Sequence, residues 1–161
     1  MAEMDWPVGI AEIKIAQGPD RLLAIGLGSC VGMALWDGES GWGGLAHVML
    51  PTENGLSSTP IRGKFAGTAT EWLLAELVQK GVDQGKLKAK LVGGANMFNS
   101  IHNNPMPVGL RNVMACREEL SRRGIPVVAE DVGGGKGRSM VFYPQDGRIW
   151  IRSLQGPERW I

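Results

Sequence analysis

Apolar and polar positions follow two rhythms along this chain. In the first third the apolar residues come in short runs, LLAIGL (22–27), VGMALW (31–36) and GLAHVML (44–50), each bounded by Gly, Asp or Pro. Runs of that length with those boundaries predict strands, and Pro51 closes the third. The rhythm then changes. Phe65, Ala69, Leu73 and Leu77 recur every fourth position as far as Lys80 and Gly81, which predicts an amphipathic helix, with Thr59 as its N-cap and Pro60 as its first helical residue.

KLVGGANMF (90–98) reads as a strand running into a loop. Val113, Cys116 and Leu120 mark the buried side of a second helix that Gly124 and Pro126 terminate, and the strand PVVAED follows directly. SMVFYP and RIWIRSL flank Gln145, Asp146 and Gly147, a hairpin signal because Asp-Gly accepts the positive φ angles of a tight turn. Strands, helix, strand, helix and a terminal hairpin predict an α+β domain, its helices packed outside largely antiparallel sheets.

Composition bounds the function more than it identifies it. The 161 residues, 43% hydrophobic and 20% charged, suit one soluble domain, residues 1–161, with its core over about 10–154. The 17 basic and 16 acidic side chains nearly cancel, so no charged surface points to nucleic acid or membrane as a partner. MAEMDWPVGI has no basic segment followed by an apolar run, and no later stretch is apolar enough to span a bilayer, so a cytoplasmic protein is expected. Two cysteines without neighbouring ligands make neither a disulfide framework nor a zinc site, so no metal or cofactor is expected and Cys30 must act, if it acts, as a thiol.

The candidate chemistry lies in GLGSCVGMALWDGESGWGGLAHVML (26–50), which holds Cys30 and His47. If VGMALW and GLAHVML pair as a hairpin centred between Gly38 and Glu39, Cys30 lies directly opposite His47, on the same face. A one-residue slip would separate them. A nearby imidazole can take the proton of a thiol and later return it to a leaving group, and the Gly-Leu-Gly-Ser turn lets backbone amides approach an oxyanion. The same residues also fit a small core cysteine and a hydrogen-bonded strand histidine.

GLGSCV (26–31), GGLAHVMLP (43–51), KFAGTA (64–69), KLVGGANMF (90–98), GLRNV (109–113) and IPVVAEDVGGGKGRS (125–139) together resemble the CheD-type chemoreceptor glutamine deamidases of bacterial and archaeal chemotaxis, over about Ile10 to Leu154. The resemblance implies a layered fold similar to toxin deamidases with a Cys/His site. It implies that Cys30 is the nucleophile and His47 its partner, and that the substrates are glutamines of methyl-accepting chemotaxis receptors, hydrolysed to glutamate through a thioester. Members bind a CheC-type phosphatase, which makes that protein an expected partner of an expected monomer.

One position departs from the family pattern. Members carry a threonine six residues before the cysteine, as the third catalytic residue, and this chain has Ala24. Either a backbone carbonyl or another side chain must then hold the second nitrogen of His47, or activity is reduced. The alternative function is therefore a catalytically weak module that binds and stimulates the phosphatase. A third is a cysteine hydrolase of another protein substrate.

Other residues divide between site and scaffold. Ser29 points away from Cys30 in extended chain and is given no role. His102 reads as a surface residue and Cys116 as core packing. GGGKGRS lacks the Gly-Lys-Ser/Thr of a phosphate loop and is expected as a turn packed near the site, where Arg138 reaches either an acidic receptor surface or Glu130 and Asp131 of its own chain. Phe98 is core by default, while the resemblance implies an exposed contact with receptor or phosphatase.

Overall fold

The computed structural model describes residues 3–52, 61–97, 106–154 and 156–161. Within these the chain forms β1 (Asp5–Pro7), β2 (Ile13–Gln17), β3 (Arg21–Leu27), β4 (Val31–Trp36), β5 (Trp42–Val48), α1 (Ala66–Gln79) and β6 (Lys88–Gly93). They are followed by α2 (Val108–Arg122), β7 (Val127–Val132), β8 (Arg138–Phe142), β9 (Ile149–Ser153) and β10 (Arg159–Trp160). The strands make two five-stranded sheets, ordered β1-β3-β8-β9-β10 and β2-β5-β4-β6-β7. Only β1–β3 and β6–β7 pair in parallel. The α+β class and the outer position of the helices agree with the sequence reading.

Why VGMALW is apolar throughout becomes clear from its place. β4 is the middle strand of the second sheet and is covered on both faces, so both sets of alternate side chains are apolar. Val31, Met33 and Leu35 pack with Leu73 and Leu77 of α1 and with Val113, Cys116 and Leu120 of α2. Ala34 and Trp36, with Leu45 of β5 beside them, face the other sheet, against Leu22, Phe142 and Ile151. Lys90 of β6 also enters this inter-sheet layer; its ammonium donates to the Gly147 carbonyl at 2.8 Å beside the Trp36 ring, and burial lowers its pKa.

α2 ends as expected. Gly124 takes φ +69°, its amide bonds the Ser121 carbonyl at 3.1 Å, and the Ile125 amide reaches back to Leu120 at 2.9 Å. The β8–β9 turn closes as expected too, with Gly147 at φ +83° donating to the Tyr143 carbonyl. α1 does not begin where the sequence placed it. Thr59 and Pro60 lie outside the described residues, and Phe65, still extended, is the N-cap. The Lys64 carbonyl accepts from both Met49 and Leu50, and Phe65 bridges to Leu50. That pairing holds the segment before Ala66 out of the helix.

Candidate active site

The link from β3 to β4 crosses from one sheet to the other. Leu27 pairs with Arg138 in the first sheet and Val31 with Val48 in the second, so Gly28, Ser29 and Cys30 bridge the gap at one end of the sandwich. Their carbonyls are all occupied: Gly28 accepts from the Ala95 amide at 2.8 Å, Ser29 from the Asn112 side chain at 2.8 Å, and Cys30 from the Gly94 amide at 2.8 Å. Gly93, at φ +108°, could carry no side chain here, because a Cβ would meet the Cys30 carbonyl oxygen. Among the described residues the amides of Gly28, Ser29 and Cys30 donate to no protein group. Among the described residues the turn is thus fixed by its acceptors, and its donors meet no partner.

The hairpin register corrects the sequence expectation. His47 lies opposite Gly32, not Cys30. The connection is longer than expected: the Gly41 amide returns to the Asp37 carbonyl at 3.1 Å, Gly41 takes φ +75°, and Asp37 caps the Glu39 amide. The centre of symmetry moves to lie between Glu39 and Ser40. A shift of two residues preserves the face, so Cys30 and His47 stay on one side, with Cys30 one residue beyond the last rung of the ladder. Half-buried Cys30 packs against the inter-sheet core while Ser29 is exposed, consistent with their opposite directions.

His47 is 2% exposed, and its ring is held by backbone. Nδ1 lies 3.0 Å from the Val8 carbonyl, which can only accept, so Nδ1 carries the proton and Nε2 is the free acceptor. Nε2 is buried and, among the described residues, has no hydrogen-bond partner. The segment that supplies Val8 also fixes the His47 backbone, through Ala11 to the His47 carbonyl and His47 to the Glu12 carbonyl, both at 3.0 Å. Ala11 itself sits at φ +66°, an unusual conformation for a residue with a Cβ.

Ala24 is fully buried opposite Met140. The Val8 amide bonds to the carbonyl of Leu23, the neighbour of Ala24, at 2.7 Å, so the backbone carbonyl that holds His47 is itself anchored on β3.

Burial sets the resting protonation. It lowers the His47 pKa, opposed only in part by the Val8 bond and the Glu12 charge, and it raises that of Cys30. A neutral thiol and a neutral imidazole therefore face the same interior layer. Cys116, fully buried on α2, is pushed up to about 12. Iodoacetamide is accordingly expected to modify Cys30 slowly at neutral pH, faster as pH rises past the ordinary thiol value of about 8.5, and to leave Cys116 untouched until the protein is unfolded. Peptide mapping reads this directly; rapid labelling of Cys30 at pH 6, or of native Cys116, would contradict it.

The glycine-rich turn after β7 lies beside the site, as the sequence suggested. Gly133 donates to the Gly93 carbonyl and Gly134 accepts from the Asn96 amide. Of its two readings for Arg138, the structure shows the internal one for Asp131 but not for Glu130, which pairs with Arg117: the guanidinium bonds the Asp131 carboxylate at 2.6 Å and the Asp131 carbonyl at 2.8 Å, and also the Gly133 and Lys136 carbonyls. Phe98 and His102 lie outside the described residues. No cluster able to hold a metal is present among the described residues, and no helix among them is long and apolar enough to cross a membrane.

Two residues that touch the candidate site were not named by the sequence. A backbone carbonyl on His47 was one of its options, but Val8 has no side-chain signature. Asn112 had one, a polar residue beside Val113 within the apolar stripe of α2.

Comparison with known proteins adds a family. The model described as CheD chemotactic sensory transduction matches residues 49–153. A protein of Caldanaerobacter subterraneus subsp. tengcongensis, named probable chemoreceptor glutamine deamidase CheD, is 45% identical over 148 residues, 91% of either chain. Proteins of the same name from Clostridium botulinum strains Hall and Okra are 42% identical over 148 residues, again 91% of either chain.

Proposed function

The chain belongs to the CheD family of chemotactic sensory transduction proteins, and we propose that Cys30 and His47 carry its deamidation of chemoreceptor glutamines through a thioester. The observation that carries this reading is the state of His47: one nitrogen tied to the Val8 carbonyl, the other a buried acceptor on the face that Cys30 shares. That is the arrangement a general base requires.

The Cys30 sulfur attacks the side-chain carbonyl carbon of a receptor glutamine as its proton passes to Nε2 of His47. The free amides of the Gly28–Cys30 turn stabilise the tetrahedral oxyanion. Nε2 then gives its proton to the departing nitrogen, ammonia leaves, and a thioester remains. Nε2 next takes a proton from water, the hydroxide adds to the thioester, and the sulfur leaves and recovers the proton. The product carboxylic acid loses its proton to solvent, so a neutral glutamine becomes an anionic glutamate, which changes charge repulsion between receptor helices.

A cavity of about 510 Å³ opens beside Gly28, lined also by Ile25, Met97, Arg138, Arg152 and Leu154, and three of its apolar residues are solvent-exposed. An apolar surface that reaches Gly28, two residues from Cys30, suits a receptor segment. Phe98, one residue beyond Met97, and the edge of Arg138 are its proposed partner contacts, and a CheC-type phosphatase is a proposed competitor for them. The proposed setting is a cytoplasmic monomer. Ala24, which suggested a weakly catalytic binding module, has a substitute in the Val8 carbonyl, so the enzymatic reading is preferred.

The test is ammonia release from a receptor cytoplasmic fragment, before and after Cys30 alone is alkylated. Release that alkylation abolishes is expected. Equal release from modified protein would overturn the role of Cys30, and no release from either would favour the binding module.

A further inference from the structure

We infer that Asn112 is a positioning residue for this reaction, holding the strand ends that carry Cys30 and His47 and aiming the Cys30 amide. The inference rests on the roles proposed for those two residues. Asn112 is fully buried on the apolar face of α2, where an amide is costly unless bonded. Its Nδ2 donates to the Ser29 carbonyl at 2.8 Å and to the Met49 carbonyl at 3.1 Å. Its Oδ1 has no partner among the described residues. Two facing carbonyls admit only the amide nitrogen, so the side chain cannot be reversed.

The two acceptors are what give the contact its meaning. Ser29 precedes Cys30 by one residue and Met49 follows His47 by two. The β4–β5 ladder ends at Val31 and Val48, and beyond it the strands separate: the Cys30 carbonyl turns to Gly94, and the Met49 amide to Lys64. Asn112 reaches both strands beyond that last rung. In a planar trans peptide the carbonyl and the following amide point in opposite directions, so a bond that draws the Ser29 carbonyl toward α2 turns the Cys30 N–H away from it, free to meet an oxyanion. Loss of the clamp lets the nucleophile, its base and this donor drift together.

The experiment measures kcat and KM on a receptor fragment, per folded molecule, for Asn112→Leu, Asn112→Asp and Asn112→Ser. Leucine and aspartate remove both donors within similar volume, and serine keeps one. The expected result is a kcat lowered about 10–100-fold in the first two, with KM within about threefold, and an intermediate loss for serine, since misplacement by about 1 Å costs on that order. A kcat within twofold of wild type, or a loss expressed wholly in KM, would overturn the inference.

If the variants fail to fold, the wild-type protein still decides: the Asn112 side-chain amide protons should exchange slowly by NMR, and fast exchange of both would contradict the clamp. Cys30→Ala, run alongside, separates the two claims. Turnover retained there sinks the Cys30 assignment, whereas turnover lost there but retained in Asn112→Leu sinks only the role of Asn112.

Discussion

Cys30→Ala is expected to lower receptor deamidation by on the order of 10⁴-fold or more, and His47→Gln by about 10²–10⁴-fold, with no comparable loss of folding. Alanine removes the atom that forms the thioester. Glutamine preserves bulk and can still donate to the Val8 carbonyl, but it cannot shuttle a proton. Because nucleophile and base act as a unit, the double variant should be little worse than Cys30→Ala alone. Initial rates of ammonia release measure all three. A His47→Gln variant with wild-type kcat would show that Nε2 takes no part in the chemistry.

His47→Gln should also alter acid stability. Burial lowers the folded imidazole pKa below its unfolded value of about 6.5, so between the two the unfolded chain binds a proton that the native state does not. The wild type therefore loses stability as pH falls below about 6.5, and the variant should lose less over the same interval. Urea midpoints at pH 7 and pH 5 give the comparison.

Asp131→Ala is expected to destabilise the fold by about 3–5 kcal/mol, the range for removing one partner of a buried ion pair. The Asp131 carboxylate serves two guanidiniums, Arg138 at 2.6 Å and Arg159 at 2.7 Å, and the Arg138 side chain is only 7% exposed. Without Asp131 the Arg138 charge stays buried against carbonyls alone, near the turn that borders the site. For a chain of this size the melting temperature should fall by roughly 10–15 °C.

The two arginines, Arg159 first, hold the Asp131 pKa below the usual carboxylate range, an effect opposed by burial. The wild-type advantage is therefore present above about pH 4 and disappears as pH drops through the folded value. A loss below about 1 kcal/mol at pH 7 would show that Arg138 finds other partners or water.

The sequence made the site legible where side chains carried the signal. The apolar run of β4, the Asp146-Gly147 turn and the Gly124 stop of α2 are local chemistry, and each appears where the residues put it. Cys30 and His47 were found on one face because strand parity survives a two-residue shift, although their direct opposition did not.

What escaped depended on backbone and on distant pairing. The register followed from Gly41 taking the positive φ, which Asp37 and Ser40 do not announce. The start of α1 was set by contacts of Lys64 and Phe65 with Leu50, and β1 and β10 are too short to leave a periodic pattern. The support for His47 came from a main-chain carbonyl, an option the sequence left open, but no side chain marks Val8 as its source.

The most direct measurement is to acid-quench the protein during turnover of a glutamine-containing receptor peptide and record intact and peptide mass spectra. The mechanism predicts a covalent adduct of the peptide less ammonia, located on Cys30, absent from Cys30→Ala and released by hydroxylamine as a thioester would be. Steady turnover with no adduct in either wild type or His47→Gln, or an adduct on another residue, would contradict it.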